Sequence, residues 1–189
     1  MLRIANITST FRSRLIVDTY KFWLKPNQKI LDVGCGTGVA AAELSNRLKL
    51  NIVGCDIDKY LIVKIPFRKM SREDKLPFRN KSFEVVMFND VLHHTSYKNQ
   101  SKLLKEALRV SKSVLLFELV PTTIGRIVDF VINKIHHFKM EIPFTYRRVE
   151  GWKKLFKNLG LKYQVVIVQR PFWYPFSHVA FVLTKTLHP

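Results

Sequence analysis

Three glycines that follow a short apolar run offer the clearest chemistry in this sequence. Gly34, Gly36 and Gly38 come directly after a run that ends at Val33. Glycines in such a turn let the backbone pass close to a ligand, and a helix that starts there offers free N–H groups to a carboxylate or phosphate. The dinucleotide fingerprint requires a glycine where this chain has Val39, so the turn disfavours NAD and FAD.

Two acids belong to the same candidate crevice. Asp32 precedes the first glycine by two residues, where a carboxylate opposes a pyrophosphate but suits a ligand with an ammonium group. Asp56 ends the next apolar run, where a carboxylate can accept hydrogen bonds from both ribose hydroxyls, and Ile57 could then lie flat on a purine. Either acid alone could instead cap a helix. Acids and glycines at the ends of adjacent strands, however, are typical of the ligand crevice of open α/β sheets.

A second polar group follows a later apolar run. Asn89 lies near the end of that run, and His93 and His94 come shortly after it. A histidine beside a reacting hydroxyl or carbon acid can take its proton, so both histidines are candidate general bases. The alternative is that the pair shapes a pocket or caps the next helix. Glu118, at the end of a further apolar run, is another pocket candidate.

The cysteines and histidines predict no metal centre. Cys35 and Cys55 are too few for a disulfide framework, and no Cys/His cluster has zinc-like spacing. Nothing adjacent to either cysteine suggests an activated nucleophile. We therefore expect a protein of a reducing cytosol, with cytoplasmic localisation and no metal ligands.

Apolar runs alternate with helical patterns through the first two thirds of the chain, which predicts a parallel sheet with helical crossovers. The glycines, acids and histidines then follow the carboxyl ends of strands. Strands are predicted at 30–33, 51–56, 65–70, 82–90 and 113–119. Helices are predicted at 9–24, 39–50, around 59–63, and at 96–110 with Ser96 as the cap.

The remaining third predicts two helices and two strands. An apolar stripe from Ile124 to Ile135 marks a helix that either packs on the sheet or covers a greasy substrate. A second helix ends at Gly160, and strands follow at 161–168 and 178–185. The loop between them, QRPFWYPFS, is dense in aromatic residues. It could line an apolar pocket, bind at a membrane surface or stack on unpaired bases.

Composition and charge bound the remaining possibilities. The chain has 189 residues, 47% of them hydrophobic, which is enough for one domain with a real core. Its net charge of +18 is uneven: residues 32–58 hold four acidic and two basic residues, whereas 119–189 hold eleven basic and three acidic. The crevice is thus the acidic exception in a basic protein. The start lacks the features of a secretory signal, and no apolar run is long enough to span a bilayer.

Four ordered motifs resemble those of the class I S-adenosylmethionine-dependent methyltransferases. They are ILDVGCGTG, IVGCDID, LPFRNKSFEVVMFNDVLHH and LLKEALRV. The resemblance covers residues 27–119 and is greatest to methyltransferase type 11, in the branch that includes quinone-biosynthesis enzymes. It implies an α/β fold: a Rossmann-like doubly wound sheet of about seven strands, mostly parallel with an antiparallel last strand.

The resemblance also implies S-adenosylmethionine as cofactor and a role for each motif. Asp32 and the turn from Gly34 to Gly38, Cys35 included, would surround the methionine part, with Asn89 presented to its ammonium group. Asp56 would bind the ribose.

This chain departs from the family pattern in the region that follows Asp56. The stretch between Asp56 and Pro77 is short, which implies a truncated second crossover helix. The place of the family's adenine-binding acid falls on Arg72 by strict counting. Glu73 or Asp74 could replace it if the loop shifts, and we expect Asp74.

We therefore predict a single methyltransferase domain over 1–189, with an N-terminal helix in 1–26, the cofactor core in 27–119, and lid helix, substrate-side helix and final strands in 120–189. The expected acceptor is the oxygen or carbon of a small lipophilic or aromatic molecule, taken directly from solution or from an anionic membrane contacted peripherally. Two alternatives stay open: an RNA methyltransferase, and an inactive module that binds cofactor or nucleic acid.

Overall fold

The computed structural model describes residues 2–136 and 143–186, and the side chains of 10–131 and 143–186. The described chain contains seven strands, five α-helices and one 3-10 turn. They are α1 (Leu2–Tyr20), β1 (Lys29–Val33), α2 (Val39–Leu48), β2 (Asn51–Asp56), β3 (Phe67–Lys69), β4 (Val85–Asn89), a 3-10 turn (Leu92–His94), α3 (Tyr97–Val110), β5 (Ser113–Val120), α4 (Thr123–His136), α5 (Val149–Asn158), β6 (Leu161–Ile167) and β7 (Ser177–Lys185).

The strands form one seven-stranded sheet in the order β3-β2-β1-β4-β5-β7-β6. Strands β1 to β5 pair in parallel, and β7 is antiparallel to both of its neighbours. The predicted fold class is therefore confirmed. The chain leaves β1 toward β2 on one side and returns to place β4 on the other, so the topological switch point lies between β1 and β4.

Helices cover both faces of the sheet. On one face, Ile16 and Tyr20 of α1 and Leu44 of α2 share a buried cluster with residues of the central strands. On the other face, Leu104 of α3 and Trp152 of α5 belong to a second buried cluster. A parallel sheet needs this double cover, because its strands are apolar on both sides.

Local signals place several helix ends where the sequence predicts them. The Ser96 side chain accepts a hydrogen bond from the backbone of Asn99, which caps α3 as expected. Gly160 has a left-handed backbone (φ 66°) just beyond α5, and it stops that helix. Helix α1 begins earlier than residue 9 and ends at Tyr20, before the predicted end at 24.

The predicted helix around 59–63 is wrong. Residues 57–66 join β2 to the parallel strand β3 without a helix. The amide of Ile62 donates to the carbonyl of Thr37 at 3.1 Å, which attaches the connection to the glycine turn. Tertiary packing of the connection has overridden its local helical pattern.

The apolar stripe of helix α4 faces outward in its described part, which contradicts packing on the sheet and leaves the cover over a greasy substrate as a prediction. Ile124 is 66% exposed and Ile127 is 60% exposed, so this part of the stripe does not pack on the sheet. The side chains of Ile132 and Ile135 lie outside the described residues. No helix of the described chain has the length and apolar character to cross a membrane.

Candidate functional site

The candidate site lies at the carboxyl ends of β1 and β4, where the switch point opens a crevice. Asp32 occupies the last but one position of β1 and pairs in register with Met87 of β4. Asn89 is the last residue of β4. Both polar side chains are buried, Asp32 at 2% and Asn89 at 7% exposure. Buried polar groups need partners, and these two are partners of each other.

Asp32 is held by a short hydrogen-bonded chain. The amide nitrogen of Asn89 donates to Asp32 Oδ1 at 3.0 Å, and the Tyr20 hydroxyl donates to Asn89 Oδ1 at 3.0 Å. Both ends of the amide are therefore in use, and Asn89 orients the carboxylate. A direct contact of Asn89 with the methionine ammonium stays a prediction.

Burial raises the pKa of Asp32 to about 7, although the hydrogen bond from Asn89 and the charge of Arg12 act in the opposite direction. Across the described residues, Asp32 makes no ion pair. A bound cation would supply that missing partner and favour the ionised carboxylate. The position therefore suits an ammonium group, as the sequence predicts.

The three positions in the turn require glycine for different physical reasons. All three have positive φ, but a side chain at Gly34 would meet Val91, and one at Gly38 would meet Leu61. At Gly36, a Cβ would meet nothing within 4 Å. Gly34 and Gly38 are thus needed for packing, whereas Gly36 faces open space over the turn. A ligand can approach the backbone closely at Gly36.

Asp56 is fixed against this turn. The Gly36 amide donates to Asp56 Oδ2 at 2.9 Å, and the Ile57 amide donates to Oδ1 at 2.8 Å. These two bonds set the orientation of the carboxylate at the turn. The structure therefore brings Asp56 to the glycine turn. The contacts of Asp56 and Ile57 with ribose and purine stay predictions.

Cys35 lies in the turn but its thiol packs inward. Its sulfur would be only 2.7 Å from a Cβ placed on Gly54, so the two residues fit closely together. Burial raises the pKa of the Cys35 thiol and also that of Cys55. Both thiols are therefore inert packing groups at neutral pH. A role of Cys35 in cofactor binding is a prediction for its backbone.

Asp74, the predicted adenine partner, is engaged by two cations. Arg72 donates to both of its oxygens at 3.0 and 3.1 Å, and Lys102 donates to Oδ2 at 2.6 Å. Those hydrogen bonds lower the pKa of Asp74. The adenine contact stays a prediction, and an adenine amine would have to share the carboxylate with Arg72 and Lys102.

His93 forms the centre of a buried charged cluster. Its Nδ1 lies 2.8 Å from Glu118 Oε2, and Glu118 Oε1 accepts the amides of Val91 and Leu92 at 3.2 and 2.8 Å. His93 is 1% exposed and Glu118 is fully buried. The 3-10 turn after β4 and the end of β5 therefore hold an imidazole and a carboxylate in one fixed geometry. The second histidine, His94, lies against His93 with ring centroids 4.0 Å apart.

Two side chains from later in the chain, Asp129 and Tyr146, cover His93, and we call them the roof. Asp129 of α4 places Oδ2 3.6 Å from His93 Nε2, and the Tyr146 ring stacks on the imidazole at 5.3 Å. The Tyr146 hydroxyl donates to Asp129 Oδ2 at 2.6 Å. Burial by itself would lower the pKa of His93, but hydrogen bonding and charge from Asp129 and Glu118 raise it to about 10. His93 is therefore an imidazolium at neutral pH while the roof is in place.

A second ion cluster, centred on Asp90, lies next to the turn that carries His93. Asp90, with a left-handed backbone (φ 58°), places Oδ2 2.9 Å from Arg12 and 3.2 Å from His178. Burial acts to raise the pKa of Asp90, but His178 and Arg12 hold it well below the usual range. These contacts join α1 and β7 to the turn that carries His93.

The geometry also brings together side chains that could hold a metal ion. Ligand atoms of His93, His94 and Asp129 all lie within 4.8 Å of one another, as do those of Asp90, His93 and Glu118. Spacing along the sequence could not show this, because the ligands come from different elements. In the structure, the carboxylates of Glu118 and Asp129 flank the two ring nitrogens of His93.

Sequence reasoning missed Asp129, Tyr146 and Arg12 as members of the site. Asp129 did carry a signal, since it is a single acid within an apolar helical stripe. Such an acid on an otherwise apolar helix indicates a buried partner. The other residues show no pattern that separates them from ordinary surface residues.

A protein-family model for a methyltransferase domain matches residues 31–114, which contain the glycine turn, Asp56, Asn89 and His93. This part of the chain is therefore similar to methyltransferase domains. The matched region includes the carboxyl end of β1, strands β2 to β4 and the start of β5, and therefore both strand ends that form the crevice. Nothing in the match distinguishes the quinone-biosynthesis branch, which stays a hypothesis.

Methyltransferases of different kinds are similar to this chain. A sterol 24-C-methyltransferase from Debaryomyces hansenii is 25% identical over 180 residues, covering 84% of this chain and 48% of the relative. A probable tRNA methyltransferase 9B from Homo sapiens is 33% identical over 91 residues, covering 46% of this chain and 19% of the relative. Each match thus covers less than half of the relative's own length.

A solved structure confirms the fold. Phosphoethanolamine N-methyltransferase 2 from Haemonchus contortus, in complex with S-adenosyl-L-methionine, superposes with a TM-score of 0.66. The two chains are 14% identical, and the match covers 92% of this chain and 52% of the other. The Rossmann-like architecture is therefore shared at low identity.

Proposed function

We propose that the protein transfers a methyl group from S-adenosylmethionine to an oxygen or carbon atom of a small lipophilic or aromatic acceptor. The observation that carries this proposal is the buried pair of His93 and Glu118, 2.8 Å apart, beside the crevice that contains Asp32 and the open Gly36. Acceptors that must lose a proton need such a group, whereas the methyl donor needs only positioning.

The crevice residues fit the chemistry of this donor. Asp32 offers a buried carboxylate for the ammonium group, and the turn at Gly36 leaves space that a Cβ would fill. Asp56 offers carboxylate oxygens for the ribose hydroxyls at the same turn. When bound, S-adenosylmethionine supplies an electrophilic methyl group on a cationic sulfur.

His93 is the group that receives the acceptor's proton. Glu118 accepts at Nδ1, so the second nitrogen, Nε2, faces the roof side and is the atom that takes the proton. The imidazolium form of His93 already carries a proton on both nitrogens and cannot take another. Nε2 must therefore lose its proton before His93 can act as a base. Separation of Asp129 from His93 would lower the pKa of His93 and favour this neutral form. Asp129 and Tyr146 therefore control the charge of the base.

The side chains around the base support an apolar acceptor. Phe144 packs edge-on to His94 at 5.8 Å and contacts Phe130 of α4 at 5.6 Å. Tyr146 adds a further ring over His93. Aromatic walls beside a proton acceptor favour a hydrophobic ring or chain with one ionisable position. The similarity to a sterol C-methyltransferase supports the same acceptor class.

The RNA alternative has weaker support. The human relative's name favours it, and α5 carries a basic group formed by Lys153, Lys154 and Lys157. This group lines a depression with Gly160 and Leu161, at the start of β6. Strand β6 runs in the direction of β5, so its start lies at the sheet end opposite to the crevice. An acceptor held there would not reach His93.

A label-partition experiment tests the proposal. The protein is incubated with S-adenosylmethionine carrying a deuterated methyl group and with separated lipid, RNA and protein fractions of a cell extract. We expect mass spectrometry to find the label on an organic-soluble product, and His93→Gln to abolish it. Label confined to RNA or protein would contradict the acceptor class, and absence of label in every fraction would favour the inactive module.

A further inference from the structure

Helix α4 has its polar and apolar sides reversed relative to an ordinary surface helix. Asp129 points inward to His93, while Ile124, Ile127 and Val131 lie on the exposed side at spacings of three and four residues. A surface helix normally buries its apolar stripe against the core. This helix turns its acid, 15% exposed, toward His93 and leaves the stripe in contact with solvent.

The aromatic loop continues this apolar face. Phe172 is 97% exposed and Trp173 is 49% exposed, although both are large apolar side chains. A Cβ placed on Gly125 of α4 would lie 3.7 Å from the Pro175 carbonyl, so the helix and the loop are in contact. Together, Ile124, Ile127, Phe130, Val131, Phe172 and Trp173 form what we call the outer apolar face.

The loop is anchored, so its exposed rings are held outward. Tyr174 is fully buried, stacks on His178 at 6.0 Å, and its carbonyl accepts a hydrogen bond from Arg170. Phe11 of α1 packs on Trp173 at 4.6 Å and on Tyr174 at 5.0 Å. A fixed loop with an almost fully exposed phenylalanine is typical of a binding surface.

The positive charge around the outer apolar face indicates what kind of surface it binds. The chain carries a net charge of +18, and exposed arginines belong to the same two segments. Arg126 lies on α4, 5.5 Å from the centre of the Tyr146 ring, and Arg170 donates to the carbonyl of Tyr174 in the loop. The loop QRPFWYPFS contains no acid. An apolar face bordered by arginine on a basic protein is complementary to an anionic bilayer, and like charge opposes pairing with a second copy.

We infer that the outer apolar face docks on an anionic membrane surface, with α4 lying in the interface and Phe172 and Trp173 inserted among the lipids. The inner side of the same helix covers His93, so docking places the candidate base directly behind the membrane contact. A lipophilic acceptor would then enter from the bilayer. This last step rests on the proposed function, whereas the docking itself does not.

Vesicle sedimentation tests the docking. The full chain is mixed with vesicles of phosphatidylcholine alone or with phosphatidylglycerol added. We expect binding to the anionic vesicles only, weakened by salt, and a decrease of about tenfold or more in the partition coefficient for Phe172→Glu and for Ile127→Glu. The matched control is Phe22→Glu, which replaces a 79% exposed phenylalanine just beyond α1 and should bind like the wild type.

Three outcomes would overturn the inference. They are no binding of the wild type to anionic vesicles, an equal loss for Phe22→Glu, and a dimer in sedimentation velocity that Ile127→Glu dissociates. Calorimetric binding of S-adenosylmethionine by each variant shows that it is folded. If the protein binds anionic vesicles but the label-partition experiment finds no labelled lipid, the docking is supported and only the proposed acceptor class is contradicted.

Discussion

His93 Nδ1 lies 2.8 Å from Glu118 Oε2 in a fully buried pair that joins the turn after β4 to the end of β5. Glu118 also accepts two backbone amides of that turn, so the carboxylate fixes both the position of the imidazole and the nitrogen that carries the proton. The pair determines which atom of His93 can react.

The first prediction concerns this tautomer. In Glu118→Gln the side-chain oxygen can still accept the Val91 and Leu92 amides, but the NH₂ group faces Nδ1 and forces the proton onto Nε2. We expect unchanged binding of S-adenosylmethionine and a methyl-transfer rate lower by about 10²-fold or more. The ¹⁵N shifts of His93 should report the exchanged tautomer. Glu150→Gln, at an exposed acid of α5, serves as control, and an equal loss of rate there would contradict the role.

The second prediction concerns the roof. Asp129→Asn removes a negative charge 3.6 Å from His93 Nε2, so the imidazolium loses a stabilising partner. We expect the pKa of His93 to fall from about 10 by about one unit or more. Histidine NMR titration measures this, with His93→Gln identifying the resonance. An unchanged titration would show that α4 does not control the base.

The third prediction concerns Asp32 and ligand binding. Its pKa of about 7 means that the carboxylate gains charge as pH rises from 6 to 7.5, and only the charged form binds an ammonium group. We expect the affinity for S-adenosylmethionine to increase several-fold over this range. Asp32→Asn should bind more weakly and lose the increase. If the variant shows the same pH dependence, the increase originates elsewhere.

The fourth prediction concerns stability without ligand. Because the folded pKa of Asp32 is above its usual value of 3.8, the folded state binds the extra proton, and stability is lost as pH rises from about 4 to 7. Asp32→Asn should therefore raise the melting temperature at pH 7.5 by several degrees. Asp74→Asn, which removes a partly buried acid paired with Arg72 and Lys102, should give no such gain. A variant at Asp32 that melts at or below the wild-type temperature would contradict the cost of the buried charge.

The sequence predicts the crevice well because its signals are local. The turn from Gly34 to Gly38 and the acid Asp56 each follow a strand, and parallel strands bring their carboxyl ends to one edge. Chain order was therefore enough to place Asp32 and Asp56 together.

The base and its roof could not be predicted in the same way. Glu118 follows His93 by 25 residues and joins it only because β4 and β5 are neighbours. Asp129 reaches His93 because α4 turns its apolar stripe outward. The spacing of apolar residues along the sequence does not determine which side of this helix faces the core. The helix expected around 59–63 failed for a related reason, since packing on Gly38 decided its conformation.

The central claim is that the methyl donor binds over the turn at Gly36, and a pair of alanine variants tests it most directly. Gly36 and Gly160 both have positive φ, and a Cβ on either meets nothing within 4 Å, so alanine costs each a similar strain of about 1 kcal/mol. Calorimetric titration with S-adenosylmethionine should show wild-type affinity for Gly160→Ala and a loss of about tenfold or more for Gly36→Ala. Equal affinities of the two variants would contradict the claim.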